Sequence, residues 1–272
     1  MNKIFQDLDI PDRRVMGELN GGHSHVNDDS ERLTGSRAAQ SSFGGVAVAG
    51  TTATQMKVGP LPKLEMDLMT RQELAKLVYR LFLGSNNLRA IAFSGVQAGV
   101  GCSWIVARLA QLVAEADAGS VCIVDTDLRD PVLHKYFSVS NGPGLSDALV
   151  DTRPIGEFVK HFDGPLHLLT GGSAISKGDP LLSSSTFRLR MDELRASFDF
   201  LLFDTPPLGE SADALLVGRK TDGLTLIVEA NSTNREAALK TVRDAATANV
   251  RVLGTVLNKR TFPIPEAIYK RL

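Results

Sequence analysis

Between Gly95 and Ser103 the chain reads Gly-Val-Gln-Ala-Gly-Val-Gly-Cys-Ser. Glycines at this density let a backbone curl until several N–H groups converge on one anion, and a serine hydroxyl at the end of the curl can ligate Mg²⁺. Against the phosphate-loop pattern G-x-x-x-x-G-K-[ST], the run Val96 to Ser103 puts Gly99, Gly101 and Ser103 in suitable places. It also puts Val96 at the opening glycine and Cys102 at the lysine. By itself so altered a loop also reads as a tight strand-to-helix turn and nothing more.

Carboxylates supply the second group of candidates. Asp125 and Asp127 stand two residues apart in Asp-Thr-Asp-Leu-Arg-Asp-Pro, just after the apolar run Val121 to Val124. Carboxylates at the mouth of a buried strand can hold Mg²⁺, directly or through water, and one of them can accept a proton. Asp130 reads instead as the cap of a helix from Pro131. Asp204 ends another apolar run, Phe200 to Phe203, and opens Asp-Thr-Pro-Pro, the arrangement that turns a carboxylate toward Mg²⁺. Asn258, at the mouth of the last strand, reads either as a contact to a base edge or as a turn residue. His23 and His25, in a segment of turn residues, read as solvated rather than as metal ligands.

These groups need elements to position them. Ala90 to Phe93 reads as a strand buried on both faces, and Ile105, Leu109, Leu112 and Val113 recur at helical spacing after the loop. With the strand Val121 to Val124 they make a βαβ unit that sets the loop at a helix N-terminus. Thr70 with Glu73 reads as a capping box opening a helix through Phe82, whose other face carries Arg71, Glu73, Lys76 and Arg80. Further helices are expected at 154–161, 181–198, 209–219 and 233–247, and further strands at 166–169, 200–203, 224–228 and 253–257. The fold class is therefore α/β, a mainly parallel sheet flanked by helices. Residues 1–65, rich in Gly, Asn and Ser turns without lasting periodicity, read as a flexible arm dispensable for folding, and residues 66–272 as the ordered domain.

Composition excludes several classes. Thirty basic against thirty-one acidic residues give a formal charge of −1, which offers no general basic face to nucleic acid. The two cysteines, Cys102 and Cys122, have no paired spacing, which argues against a disulfide framework or a zinc site and for a reducing, cytoplasmic setting. No apolar run approaches the roughly 18 residues of a membrane span, and no secretory pattern opens the chain, so a membrane role requires a partner.

From Gln72 to Leu257 the motifs together resemble the cytoplasmic tyrosine autokinases of bacterial capsule and exopolysaccharide synthesis, a branch of the MinD/ParA-like P-loop ATPases. The marks are Phe93 to Ser103, Val121 to Pro131, Asn141 to Leu149, Phe198 to Pro207 and Gly254 to Asn258. Asp-x-Asp-x-Arg followed by Gly-Leu-Ser-Asp separates this family from P-loop proteins in general. The resemblance implies ATP and Mg²⁺ as cofactors, with Gly99, Val100, Gly101, Cys102, Ser103, Trp104 and Asn258 around the nucleotide, Asn258 touching adenine. Ser103, Asp125 and Asp204 would hold the metal, Asp127 would be the base toward a tyrosine hydroxyl, and Asp125 would assist it. Implied partners are the cytoplasmic tail of a membrane polysaccharide co-polymerase and further copies of the chain, at the inner face of the membrane.

Three features depart from that family. Cys102 replaces the lysine; at a helix N-terminus its pKa is expected to fall, giving a thiolate that repels phosphate. The tyrosine cluster that relatives phosphorylate is missing, since the tyrosines are Tyr79, Tyr136 and Tyr269. The oligomer contact Glu-x-x-Arg-x-x-Arg reads Glu73-x-x-Lys76-x-x-Tyr79-Arg80. Arg129, Lys259 or a neighbouring subunit's cation would have to compensate for the lysine. Three functions follow: a kinase-like nucleotide-site protein with weak or lost phosphotransfer that regulates exopolysaccharide assembly, an active tyrosine autokinase, and a MinD/ParA-type positioning ATPase. The last is disfavoured by Gln97 at that group's signature lysine.

Overall fold

The computed structural model describes residues 56–84, 87–173 and 181–260. Eight strands form one sheet in the order β1-β4-β5-β3-β6-β2-β7-β8. They are β1 (Met56–Pro60), β2 (Ala90–Gly95), β3 (Val121–Asp125), β4 (Lys160–Asp163), β5 (Leu166–Leu169), β6 (Phe200–Thr205), β7 (Gly223–Glu229) and β8 (Val252–Asn258). Every pairing is parallel except β4 with β5. The expected mainly parallel α/β architecture is what the structure shows.

Central position explains the apolar runs. All residues of β2 and β3 are buried, because helices cover both faces of a parallel sheet. The helices are α1 (Leu68–Val78), α2 (Cys102–Glu115), α3 (Leu133–Tyr136), α4 (Leu145–Ala148), α5 (Ser185–Ser197), α6 (Asp213–Gly218) and α7 (Arg235–Thr247). One core cluster joins α1 and α2 to a sheet face through Leu77, Ile105, Leu109, Ile91 and Phe93. The other joins α5 and α6 to the opposite face through Phe187, Leu194, Val217 and Phe203.

Several expectations change in detail. The cap of α1 is Asp67, which accepts from the Thr70 N–H at 2.9 Å, while the Thr70 hydroxyl donates to the same carboxylate. Aspartate is at least as good a cap as threonine, so the helix begins earlier than the Thr70 reading placed it, and Glu73 pairs with Lys76 at 2.6 Å instead of closing a box. The helix expected at 154–161 is one tight turn, Ile155–Glu157, followed by β4. Gly164, at φ 117, lets the chain reverse into β5 within two residues, which makes that pair antiparallel. Residues 181–183 form a separate turn, and Ser184 caps α5.

The arm boundary at residue 65 also moves. Met56–Pro60 is the edge strand beside β4, Leu64 is buried, and Arg108 Nε and Nη2 both donate to the Glu65 carbonyl at 3.2 Å. The earlier part of the arm lies outside the described residues. A chain starting at Ala53 is expected to keep the full melting temperature, whereas one starting at Lys63 loses β1. That loss should cost about 1–2 kcal/mol, or a few degrees, read by thermal denaturation. Equal melting of the two truncations would contradict the placement of β1 as a stabilising strand.

On β4 and β5, His161 and His167 face one another with ring centroids 4.7 Å apart, and Phe198 covers His167 at 5.2 Å. Burial, then the neighbouring His161, depresses the His167 pKa to about 4, below its ordinary value of 6.5. Protons therefore bind the unfolded chain first, and stability is lost as pH falls from about 6.5 toward 4. With partial exposure screening the effect, the loss should be about 1–2 kcal/mol. Urea titrations at pH 7 and 5 should show it, with a smaller loss in His167→Phe; an unchanged difference would contradict the assignment.

Candidate functional site

The glycine loop leaves β2 at the carboxyl edge of the sheet, between β6 and β7, and runs into α2. Gly99 and Gly101 take φ of 76° and 89°, the left-handed region that glycine enters without a Cβ penalty. Gly101 also has no room for a side chain, since a Cβ there would come within 2.5 Å of Asn258 Nδ2. That amide nitrogen donates to the Val100 carbonyl at 2.7 Å, and the Val100 side chain is fully buried. Asn258 and Val100 thus brace the loop from behind. Trp104 turns to the Arg108 guanidinium, 3.9 Å from its ring centroid, and packs against the core.

Asp125 and Asp204 stand side by side in register on β3 and β6. Asp125 Oδ1 accepts from the Asp127 N–H at 3.2 Å, and Oδ2 accepts from Val132 and Leu133 N–H at 3.0 Å. Asp125, then, caps the turn into α3, the role the sequence reading gave to Asp130. The cause is register: β3 ends with its last side chain under the returning backbone, while the Asp130 N–H donates to Asp127 Oδ1 at 3.2 Å. Burial and the Asp204 charge push the Asp125 carboxyl well up despite these bonds. Burial likewise raises Asp204 to about 7, opposed by the polar side chains of Ser103 and Cys102. Asp127 is only half-buried and is raised by burial as well.

Cys102 lies beside Asp204, and its shift runs opposite to the lowering expected of a helix N-terminus. Burial first, then the Asp204 charge, push its thiol pKa well above the ordinary value of 9.0. Burial and the neighbouring carboxylates oppose the lowering expected at a helix N-terminus, and both favour the thiol over the thiolate. The basic residues named as substitutes for the lysine are engaged. Arg129 Nη2 lies 3.4 Å from Asp213 Oδ2, and Lys259 Nζ donates to the Gly99 carbonyl at 2.7 Å and pairs with Glu229 at 3.2 Å.

Whether a cation fits can be judged from one atom. Asp204 is 1% exposed, and its Oδ1 has no hydrogen-bond partner. A buried carboxylate oxygen left so is costly unless something positive meets it. Among the described residues no cluster of three His, Cys, Asp or Glu side chains is set to hold a metal. A Mg²⁺ held by Ser103 and Asp204 would therefore take its remaining oxygens from water and phosphate, its usual habit. The two left-handed glycines and the Asp204 oxygen fit a Mg²⁺-bound phosphate chain.

Sequence reasoning missed the supports. Asp147 of the Gly-Leu-Ser-Asp stretch accepts from Gly144 N–H at 2.8 Å and Ser173 N–H at 3.1 Å. Lys160, 3% exposed, donates to the Pro143 carbonyl at 2.9 Å and Thr170 Oγ1 at 3.0 Å, and burial lowers its pKa to about 8. Gly171 leaves no space for a Cβ against Pro131, which fits this scaffold to the Asp127 loop. Glu210, on the turn after β6, accepts from the Ala98 N–H of the glycine loop at 2.9 Å. Its place soon after Asp-Thr-Pro-Pro was the available signal.

A family model described as cellulose biosynthesis protein BcsQ matches residues 88–248. Tyrosine-protein kinase YwqD of Bacillus subtilis is 31% identical over 176 residues, which cover 63% of this chain and 72% of YwqD. The chain belongs to the bacterial tyrosine-kinase family of capsule and exopolysaccharide biosynthesis. Tyrosine-protein kinase ptk of Acinetobacter johnsonii is 31% identical over 182 residues, 66% of this chain but 24% of ptk. The chain therefore spans about a quarter of that relative. Among solved structures, the VpsO kinase domain superposes with a TM-score of 0.65 at 25% identity, covering 71% of this chain and 97% of that one. A ParA family ATPase from Chlorobium tepidum reaches 0.53 at 16% identity over 62% and 72%, a likeness of fold alone. Within the tyrosine-kinase family frame, the loop, Asp125, Asp127 and Asp204 lie together at one sheet edge, with Cys102 where the resemblance implies a lysine.

Proposed function

We propose that this protein is a cytoplasmic, kinase-like nucleotide-site protein that regulates exopolysaccharide polymerisation and export by docking, with phosphotransfer weak or lost. The observation that carries the reading is Cys102 at the lysine position, a side chain with no ammonium group, set beside Asp204. A thiol offers phosphate no charge, and loss of one preorganised charge-stabilising group costs about 10²–10³ in rate. ATP or ADP with Mg²⁺ would sit on Gly99, Gly101 and Ser103, with Asp204 and Asp125 around the metal and its waters. Asp127 would be the vestigial base. Mg²⁺ supplies charge neutralisation of the phosphates when bound; the chain's part is to hold them and to exclude water.

Docking would be to the cytoplasmic tail of a membrane polysaccharide co-polymerase, with further copies of the chain in the assembly. No helix among the described residues is long and apolar enough to cross a membrane. The test is binding of the purified chain to that tail with and without Mg²⁺ and nucleotide. The reading predicts nucleotide-dependent binding by the native chain and by Asp127→Asn alike; tail binding indifferent to nucleotide would contradict it. An active autokinase with a displaced cation has one observation in its favour, the Lys259 amine on the loop at Gly99.

A further inference from the structure

We infer that Glu210 makes the glycine loop selective for a nucleoside diphosphate over a triphosphate. This rests on the nucleotide reading above and adds a ligand class to it. Glu210 Oε1 accepts from the Ala98 N–H at 2.9 Å, so one of the loop's own backbone donors is already answered by a protein carboxylate. The turn carrying it is fastened to the loop entrance at three points. Leu208 N–H donates to the Gly95 carbonyl at 2.9 Å, Ser94 Oγ donates to the Pro206 carbonyl at 2.8 Å, and Gly209 lies so close to the Val96 carbonyl that a Cβ would stand 2.4 Å from it. The carboxylate is thus held over the loop rather than left to wander.

Its side of the loop matters. The turn follows directly from β6, whose Asp204 presents an unpartnered, buried oxygen to the site. Asp204 would hold the metal that neutralises the outer phosphates, and the Glu210 turn that follows it, fastened to the loop at Gly95, Val96 and Ala98, would border that end of a bound nucleotide. A triphosphate would bring its last negative charges toward Glu210, Asp127 and Asp204, with a thiol in place of the lysine. A diphosphate stops short of them. At surface-like separations a charge pair of this kind is worth about fivefold to tenfold in affinity.

The experiment is calorimetric titration of the full chain with ADP and with ATP, each with Mg²⁺, for the native protein and Glu210→Gln. Glutamine keeps an oxygen for the Ala98 N–H and removes only the charge; an unchanged melting temperature shows that the turn is intact. ADP is expected to bind native protein about tenfold tighter than ATP. Glu210→Gln should tighten ATP about fivefold to tenfold while moving ADP less than about twofold. Equal affinities in the native chain, or equal shifts of both nucleotides in Glu210→Gln, would overturn the inference and leave the nucleotide reading standing. Binding of neither nucleotide to either protein would overturn both.

Discussion

Cys102→Lys is expected to tighten nucleotide binding about tenfold to a hundredfold. A charge-assisted hydrogen bond contributes roughly 1.5–3 kcal/mol, and the rest of the cradle is in place to present phosphate to the new amine. Gly99 and Gly101 already hold their left-handed conformations, and Asn258 braces the Val100 carbonyl. In the nucleotide-free variant the ammonium would neighbour Asp204, whose carboxyl is now held up near 7 by burial, and would draw its pKa down. Calorimetry with Mg²⁺ and ADP checks this. Tight binding by the native chain, unchanged in the variant, would show that the lysine position is not what limits the site.

Asp204→Asn should separate stability from binding, with gain in one and loss in the other. The folded-state pKa of Asp204, about 7, lies above its ordinary 3.8, so the folded protein binds the extra proton. Its stabilising share is complete below about pH 4 and is lost as pH rises through 7. At pH 8 the native carboxylate is buried, charged and beside Asp125, and replacing it should stabilise the nucleotide-free protein by about 2 kcal/mol. At pH 5 the gain should largely vanish. The same variant lacks the oxygen proposed to meet Mg²⁺, so Mg²⁺-dependent nucleotide binding should fall at least about tenfold. Urea titrations at both pH values and calorimetry with and without Mg²⁺ read the two effects. A variant that is destabilised at pH 8 or that keeps its Mg²⁺ dependence would contradict the burial account.

Much of the sheet was legible because buried parallel strands are nearly continuous apolar runs, as in Ala90 to Phe93 and Val121 to Val124. β1 was not, since Met-Lys-Val-Gly-Pro is a short edge strand, mostly exposed, with no pattern to mark it. The same holds for β4, where Lys160 and His161 give a polar opening to a strand that only its antiparallel partner defines. At the site, the residue types and their gathering at one edge followed from strand ends and the glycine loop. The hydrogen bonds did not. Asp125 as a cap depends on where the backbone returns at Val132, and the thiol state of Cys102 depends on Asp204, 102 positions away in sequence and adjacent in space. Helix N-terminal position alone predicted a lowered thiol pKa; burial beside two carboxylates reverses the sign.

Tyr269 lies outside the described residues, so phosphate transfer must be measured on the whole chain. The direct measurement incubates purified protein with Mg²⁺ and γ-labelled ATP, alone and with the candidate partner's cytoplasmic tail. It then follows label transfer and maps phosphotyrosine by mass spectrometry in native, Cys102→Lys and Asp127→Asn proteins. The account predicts that the native chain transfers no more label than Asp127→Asn under either condition, with transfer rising in Cys102→Lys. Phosphate on Tyr269 of the native chain that disappears in Asp127→Asn would contradict it and establish an active autokinase.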